Sequence, residues 1–101
     1  MSKLLVPLKP KFVGYYTSES KGVVSTVIVA NVKDNPALFT LTLFRRERPK
    51  QGHKILEGYR IQPGSTHTFW PPAFTVRAGD RLQAKSSKKG ALVVTIGGIQ
   101  C

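Results

Sequence analysis

Hydrophobic and polar residues alternate along this chain in short runs, and nowhere does an apolar set hold a 3.6-residue spacing over three turns. The pattern predicts an all-β protein. The longest apolar run, VVSTVIVANV at 23–32, is β-branched and apolar on both faces, as in a central strand covered on both sides. Asp34, Asn35 and Pro36 then supply a turn, because Asp and Asn hydrogen-bond their own backbone and Pro36 disfavours helix at the preceding residue. In LFTLTLF at 38–44, Phe39, Leu41 and Leu43 point one way and Thr40 and Thr42 the other, the signature of a half-buried strand.

Further strands follow. From Lys54 to Gln62, Ile55, Tyr59 and Ile61 are expected to share a face interrupted by Glu57, and Pro63-Gly64 closes the segment with a turn. Thr66–Trp70 reads as extended before Pro71-Pro72, which cannot donate to a ladder and so marks a sheet edge or a crossing between sheets. Leu82 and Ala84 alternate with Arg81, Gln83 and Lys85; Leu92, Val94 and Ile96 alternate with Val93 and Thr95; residues 86–90 between them are expected as a hairpin loop. With a strand at Phe12–Thr17, the count reaches seven to eight antiparallel strands, a β-sandwich or jelly roll. Residues 1–11, where Pro7 and Pro10 block helix, are expected as an extended N-terminal arm, and 12–101 as a single sandwich domain.

Charge changes the picture. Sixteen Lys and Arg against five Asp and Glu leave +11, which implies attraction to something acidic: nucleic acid, an anionic membrane surface or an acidic protein lattice. The charge is spread, with no basic tail. Its densest cluster is Arg45-Arg46-Glu47-Arg48-Pro49-Lys50, and Lys88-Lys89 fall in a turn. Arg45, Arg46, Arg48, Lys88 and Lys89, with Lys3, Lys9 and Lys11 of the arm, are the candidate contacts to a shell or a neighbouring subunit, or else solvated loop charges or a phosphate patch. No run approaches the eighteen apolar residues of a membrane span, and the start has too short an apolar stretch for a signal peptide; the expectation is synthesis in a host cytoplasm without export and without a membrane partner.

Reactive chemistry is sparse. His53 and His67 lack metal-ligand spacing, Glu57 is as ready to pair with a cation as to act as an acid, and the glycines at 79, 97 and 98 lack the strand-to-helix context of a phosphate-cradling loop. The reading is a non-enzyme with no cofactor and no metal. Aromatic residues (Tyr15, Tyr16, Phe44, Tyr59, Phe69, Trp70 and Phe74) are numerous enough to stack unpaired bases, although no RNP-like motif is present and most of these rings are needed for a core.

The succession VSTVIVAN at 24–31, FTLTL at 39–43, ILEGYRIQPGST at 55–66, FTVRAGDRLQAKSS at 74–87 and VVTIGGI at 93–99 resembles small virion structural proteins of tailed bacteriophages. The likeness covers roughly residues 23–99. It implies a β-sandwich or jelly roll that decorates or cements the capsid, favouring a trimer, with the major capsid protein or other virion proteins as partners and the capsid surface as its location. Other members of this type occur at the neck, tail or baseplate. The chain departs from the pattern in its strong positive charge and in the polar insertion RRERPKQGHK at 45–54. A basic single-stranded nucleic-acid-binding β-barrel is the alternative from another class.

Cys101, the only cysteine, cannot staple its own domain, so it either stays an unpaired thiol or pairs between chains. In a particle released into an oxidising medium, an intermolecular disulfide there would lock neighbours together.

Overall fold

A computed structural model describes residues 2–100. Within them the chain forms nine strands: β1 (Ser2–Leu8), β2 (Val13–Thr17), β3 (Gly22–Asn31), β4 (Ala37–Phe44), β5 (Gly52–Ile61), β6 (Thr66–Phe69), β7 (Phe74–Val76), β8 (Arg81–Ser86) and β9 (Leu92–Gln100). They pair antiparallel in two sheets, β1-β9-β3-β6 with β7 also on β3, and β2-β8-β4-β5. The chain crosses from one sheet to the other at every step except the β4–β5 hairpin and the β6–β7 break, and this winding is a jelly roll. Sequence alternation left sandwich and jelly roll open; pairing decides it, and the nucleic-acid-binding barrel is not the fold.

The core lies between the sheets. Phe39, Leu41, Leu43, Leu82 and Ala84 of the second sheet meet Val24, Val27, Val29, Val94 and Ile96 of the first, all buried. Each large apolar side chain so removed from water contributes about 1.5–3 kcal/mol. Truncating Phe39, whose ring stacks on Phe69 at 6.2 Å, would cost about 3–5 kcal/mol.

Four expectations need correction. The segment read as an arm is strand β1: its seven residues pair in register with β9, from Ser2 opposite Gln100 to Leu8 opposite Val94. Leu4 is 4% exposed in the core, with Val6 and Leu8 packed against it; Pro7 is accommodated because β1 is an edge strand, where no second neighbour needs its missing N–H. Strands β8 and β9 are not a hairpin, since they lie in opposite sheets. Two strands facing one another across a core show the same alternation as two strands side by side. In β5, irregularities in the pairing with β4 shift the alternation, so Leu56 and Ile61 are buried while Ile55 is only half-buried and Tyr59 is largely exposed. Finally, β3 is central but not covered twice. Its inner face is buried, whereas Val23, Ile28 and Ala30 on its outer face are half-buried side by side with the outer residues of β9.

The tandem prolines behave as their chemistry requires. They separate β6, which pairs with Val27–Ala30, from β7, which pairs with Gly22–Val24, on one edge of the first sheet.

Candidate functional site

Topology sorts the basic residues. The β1–β2, β3–β4, β5–β6 and β8–β9 connections share one end of the sandwich, which holds Lys9, Lys11, Lys33, Lys88 and Lys89, with Arg60 beside it on β5. The carbonyl of Lys11 accepts from the N–H of Gly90, and that of Ala91 from the N–H of Val32, tying these loops together. The β2–β3, β4–β5 and β7–β8 connections share the opposite end. There Arg45, Arg46, Arg48, Arg77 and Arg81 gather, five of the six arginines in the chain. Lysine is a compact hydrated charge suited to solvation, whereas arginine is a planar fork suited to oxyanions; the second end is therefore the one built for recognition.

Asp80 organises it. This carboxylate is 1% exposed. Its Oδ2 accepts from Arg45 Nη1 at 2.7 Å and from the Arg77 N–H at 2.9 Å, and its Oδ1 accepts from the Arg46 N–H at 2.9 Å. Arg45 Nη1 also donates to the Thr75 carbonyl at 2.7 Å. One buried anion thus fixes the backbone of two loops and the direction of one guanidinium. Burial pushes the Asp80 carboxyl up, but the Arg46 and Arg77 N–H groups and the Arg45 guanidinium outweigh it and hold the group below its ordinary range. Gly79 serves the same arrangement. Its φ of +92° suits only glycine, and a Cβ there would meet Arg46 Cδ at 2.5 Å, so the Arg46 stem lies across it.

The Arg77 guanidinium stands outward. Arg77 Nη2 donates to Glu47 Oε1 at 2.7 Å, with both side chains about half exposed. Glu47 is held below the usual carboxylate range, by a hydrogen bond within its own residue's backbone more than by Arg77. A depression of about 400 Å³ is lined by Arg45, Glu47, Arg48 and Arg77. A second, about 260 Å³, lies between Thr17, Phe44, Arg45, Arg46 and Arg81. The Arg81 guanidinium sits 4.7 Å from the Tyr15 ring centre and 5.2 Å from that of Phe44, and its Nε is buried with no hydrogen-bond partner.

The outer face of the β1-β9-β3-β6 sheet is the opposite in character. Register places Lys3, Leu5 and Pro7 of β1, Ile99, Gly97, Thr95 and Val93 of β9, and Val23, Thr26, Ile28 and Ala30 of β3 on it, bordered by Thr66, Thr68 and Thr75. Lys3, at its margin, is its one charged residue. Leu5 is 65% exposed and Ile99 49%, and Trp70, which directly follows β6, is 74% exposed.

Of the residues singled out in the sequence, Arg45, Arg46 and Arg48 are brought together at one end, while Lys9, Lys11, Lys88 and Lys89 gather at the other and Lys3 stands apart on β1. Cys101 lies outside the described residues. The arginine end also recruits Arg77, Asp80 and Arg81, which read in sequence as turn and strand residues; the available signal was an Asp flanked by arginines directly after a turn glycine. His53 and His67 lie on different strands in different sheets, and His67 stacks on Phe69. Glu57 pairs with Lys54 at 3.0 Å on the surface. Among the described residues no group of three His, Cys, Asp or Glu converges, and no helix is long and apolar enough to cross a membrane.

No family model matches the sequence, and no curated protein does. The fold is shared with solved structures. A Drosophila nucleoplasmin-like core, described in terms of pentamer formation and histone binding, superposes with a TM-score of 0.62 at 17% identity over 100% of this chain and 99% of that one. The nucleoplasmin-like N-terminal domain of Drosophila FKBP39 gives 0.55 at 17%, over 99% and 89%. A family-32 carbohydrate-binding module, solved with an unsaturated mannuronic acid, gives 0.59 at 16%, over 91% and 75%. At these identities the likeness is one of fold.

Proposed function

We propose that this chain is a non-enzymatic structural protein of a tailed-phage particle, whose copies assemble through the uncharged outer face of the β1-β9-β3-β6 sheet and bind an acidic shell through their basic surfaces. The observation that carries it is the missing charge. Of sixteen Lys and Arg, Lys3 alone falls on that face, and no Asp or Glu does. Two chains of +11 repel wherever cations meet cations, so the face without them is where a second copy docks at least electrostatic cost. Leu5, Ile99 and Trp70 supply apolar area at its margin, and Trp is among the residue types enriched at interface hot spots.

The mechanism is physical. A protein that binds the assembled shell and not its free subunits stabilises the assembled state by mass action, and linked copies engage many sites at once, so weak individual contacts add up. The phage resemblance favours trimers; a nucleoplasmin-like core of the same fold is described as a pentamer. A role at the neck, tail or baseplate uses the same chemistry at another place.

Nucleic-acid binding draws support from the net charge of +11. Against it, Tyr15 and Phe44, the rings set among the arginines, each have a face taken by Arg81, which leaves less ring surface for the base stacking that single strands require.

Mass spectrometry of purified particles split into heads and tails tests the assignment. Recovery with heads at high copy supports decoration or cementing, and recovery with tails moves the role there. Absence from both removes the virion reading.

A further inference from the structure

From the arginine end we infer a specific docking surface for a carboxylate-rich protein segment, with Arg45, Arg48 and Arg77 as its contact residues. The inference deepens the structural-protein reading and rests on it for the identity of the partner as a protein.

The end is pre-organised. Three hydrogen bonds into the buried Asp80 carboxylate fix the backbone at Arg46 and Arg77 and the side chain of Arg45, so a ligand meets one guanidinium, that of Arg45, whose ordering cost is already met by the fold, with Arg77 carried on a fixed backbone beside it. Arg45, Arg48 and Arg77 border one open depression of about 400 Å³, wide enough for a peptide side chain. The outer carboxylate in it is Glu47, bonded to Arg77 at 2.7 Å. Glu47 shows the kind of group the fork accepts. An ion pair with both partners half exposed is weak, so an incoming Asp or Glu displaces it at little cost.

Two observations favour carboxylates over a nucleic-acid backbone. Glu47 leaves the depression with a negative group of its own, which a dense polyphosphate would have to approach, whereas a flexible acidic peptide exchanges with it one carboxylate at a time. The neighbouring rings, Tyr15 and Phe44, each have a face taken by Arg81, so bases find less ring surface to stack on there. The lysine end carries comparable charge, but its cations are point charges without a buried anion to arrange them.

The test is a titration of the full chain at about 50 mM salt with a hexaglutamate peptide and, separately, with a single-stranded oligonucleotide of similar charge. It compares the wild type with two variants of equal charge change, Arg48→Ala/Arg77→Ala and Lys88→Ala/Lys89→Ala. Neither pair removes a hydrogen bond to Asp80, since Arg77 donates to it at 2.9 Å through its backbone N–H, and the Arg77 side chain adds only a longer ion pair, Nε to Oδ2 at 3.9 Å. The expected result is a roughly tenfold or greater loss of peptide affinity in the arginine variant, under twofold in the lysine variant, and a several-fold gain on Glu47→Gln. Equal losses at both ends, no peptide binding by the wild type, or oligonucleotide binding tighter than peptide and lost with the same arginines would each overturn it. Sedimentation of the same samples separates this from assembly: failure here leaves an oligomer that ignores the peptide, whereas failure of the assembly reading leaves a monomer.

Discussion

Arg45 and Asp80, 35 positions apart in the chain, meet at 2.7 Å beneath one end of the jelly roll. The contact turns the polar β4–β5 connection into a fixed surface. Asp80→Asn keeps the shape but removes the charge that three donors share. It should cost roughly 1.5–3 kcal/mol, the range for hydrogen bonds to an ionised group, read as a lower urea midpoint at pH 7. A loss under about 0.5 kcal/mol would show the loops are held by other means.

The same carboxylate sets an acid limit. Its folded pKa lies below its ordinary value, so its contribution is complete above the unfolded value of about 3.9 and disappears as pH falls through the lower folded value. Urea midpoints of the wild type should therefore drop as pH falls below about 4, and Asp80→Asn should show a shallower drop over the same acid range. Glu47 acts in the same direction but is exposed, so Glu47→Gln should leave the profile nearly unchanged.

Alternation was enough to read an all-β sandwich because most strands keep one clean inward set, such as Leu82 and Ala84 or Leu92, Val94 and Ile96. It was blind to which sheet each strand joins, since an inward face looks the same from either side of the core. The β8–β9 connection was misread for that reason; β1 was misread because Pro7 within it and Pro10 just after it suggested an arm, although an edge strand tolerates Pro7. Arg45, Arg46 and Arg48 were visible as a sequence cluster. Their partners Arg77, Asp80 and Arg81 were not, because contacts between chain segments some 30 residues apart leave no local pattern. The neutral sheet face was equally hidden, being assembled from three strands that each carry only part of it.

Close packing at Gly98 gives a sharper test of the fold. Gly98 lies opposite Leu4 on β1 and Val24 on β3, and a Cβ there would run into the carbonyl of Val23. Gly98→Ala should force β9 away from β3 and cost about 3 kcal/mol or more. Gly90→Ala, at φ +63° with nothing within 4 Å, should cost only about 1–2 kcal/mol. Thermal melts of the two variants should rank in that order.

Arg81 is expected to add little net stability. Its contacts with Tyr15 and Phe44 favour it by about 0.5–1 kcal/mol each, but its buried, unpartnered Nε opposes them by about 1–3 kcal/mol. The terms nearly cancel. Arg81→Ala should change unfolding free energy by no more than about 1 kcal/mol, and a loss above about 2 kcal/mol would mean the stacking is structural.

Assembly through the uncharged sheet face is tested most directly by sedimentation velocity of the wild type beside Ile28→Lys. Ile28 sits in the middle of that face, between Thr95 and Thr68, and a lysine there projects outward without entering the core. The wild type should sediment as an oligomer and the variant as a folded monomer with an almost unchanged melting temperature. A monomeric wild type at tens of micromolar, or a variant that stays oligomeric, would contradict it.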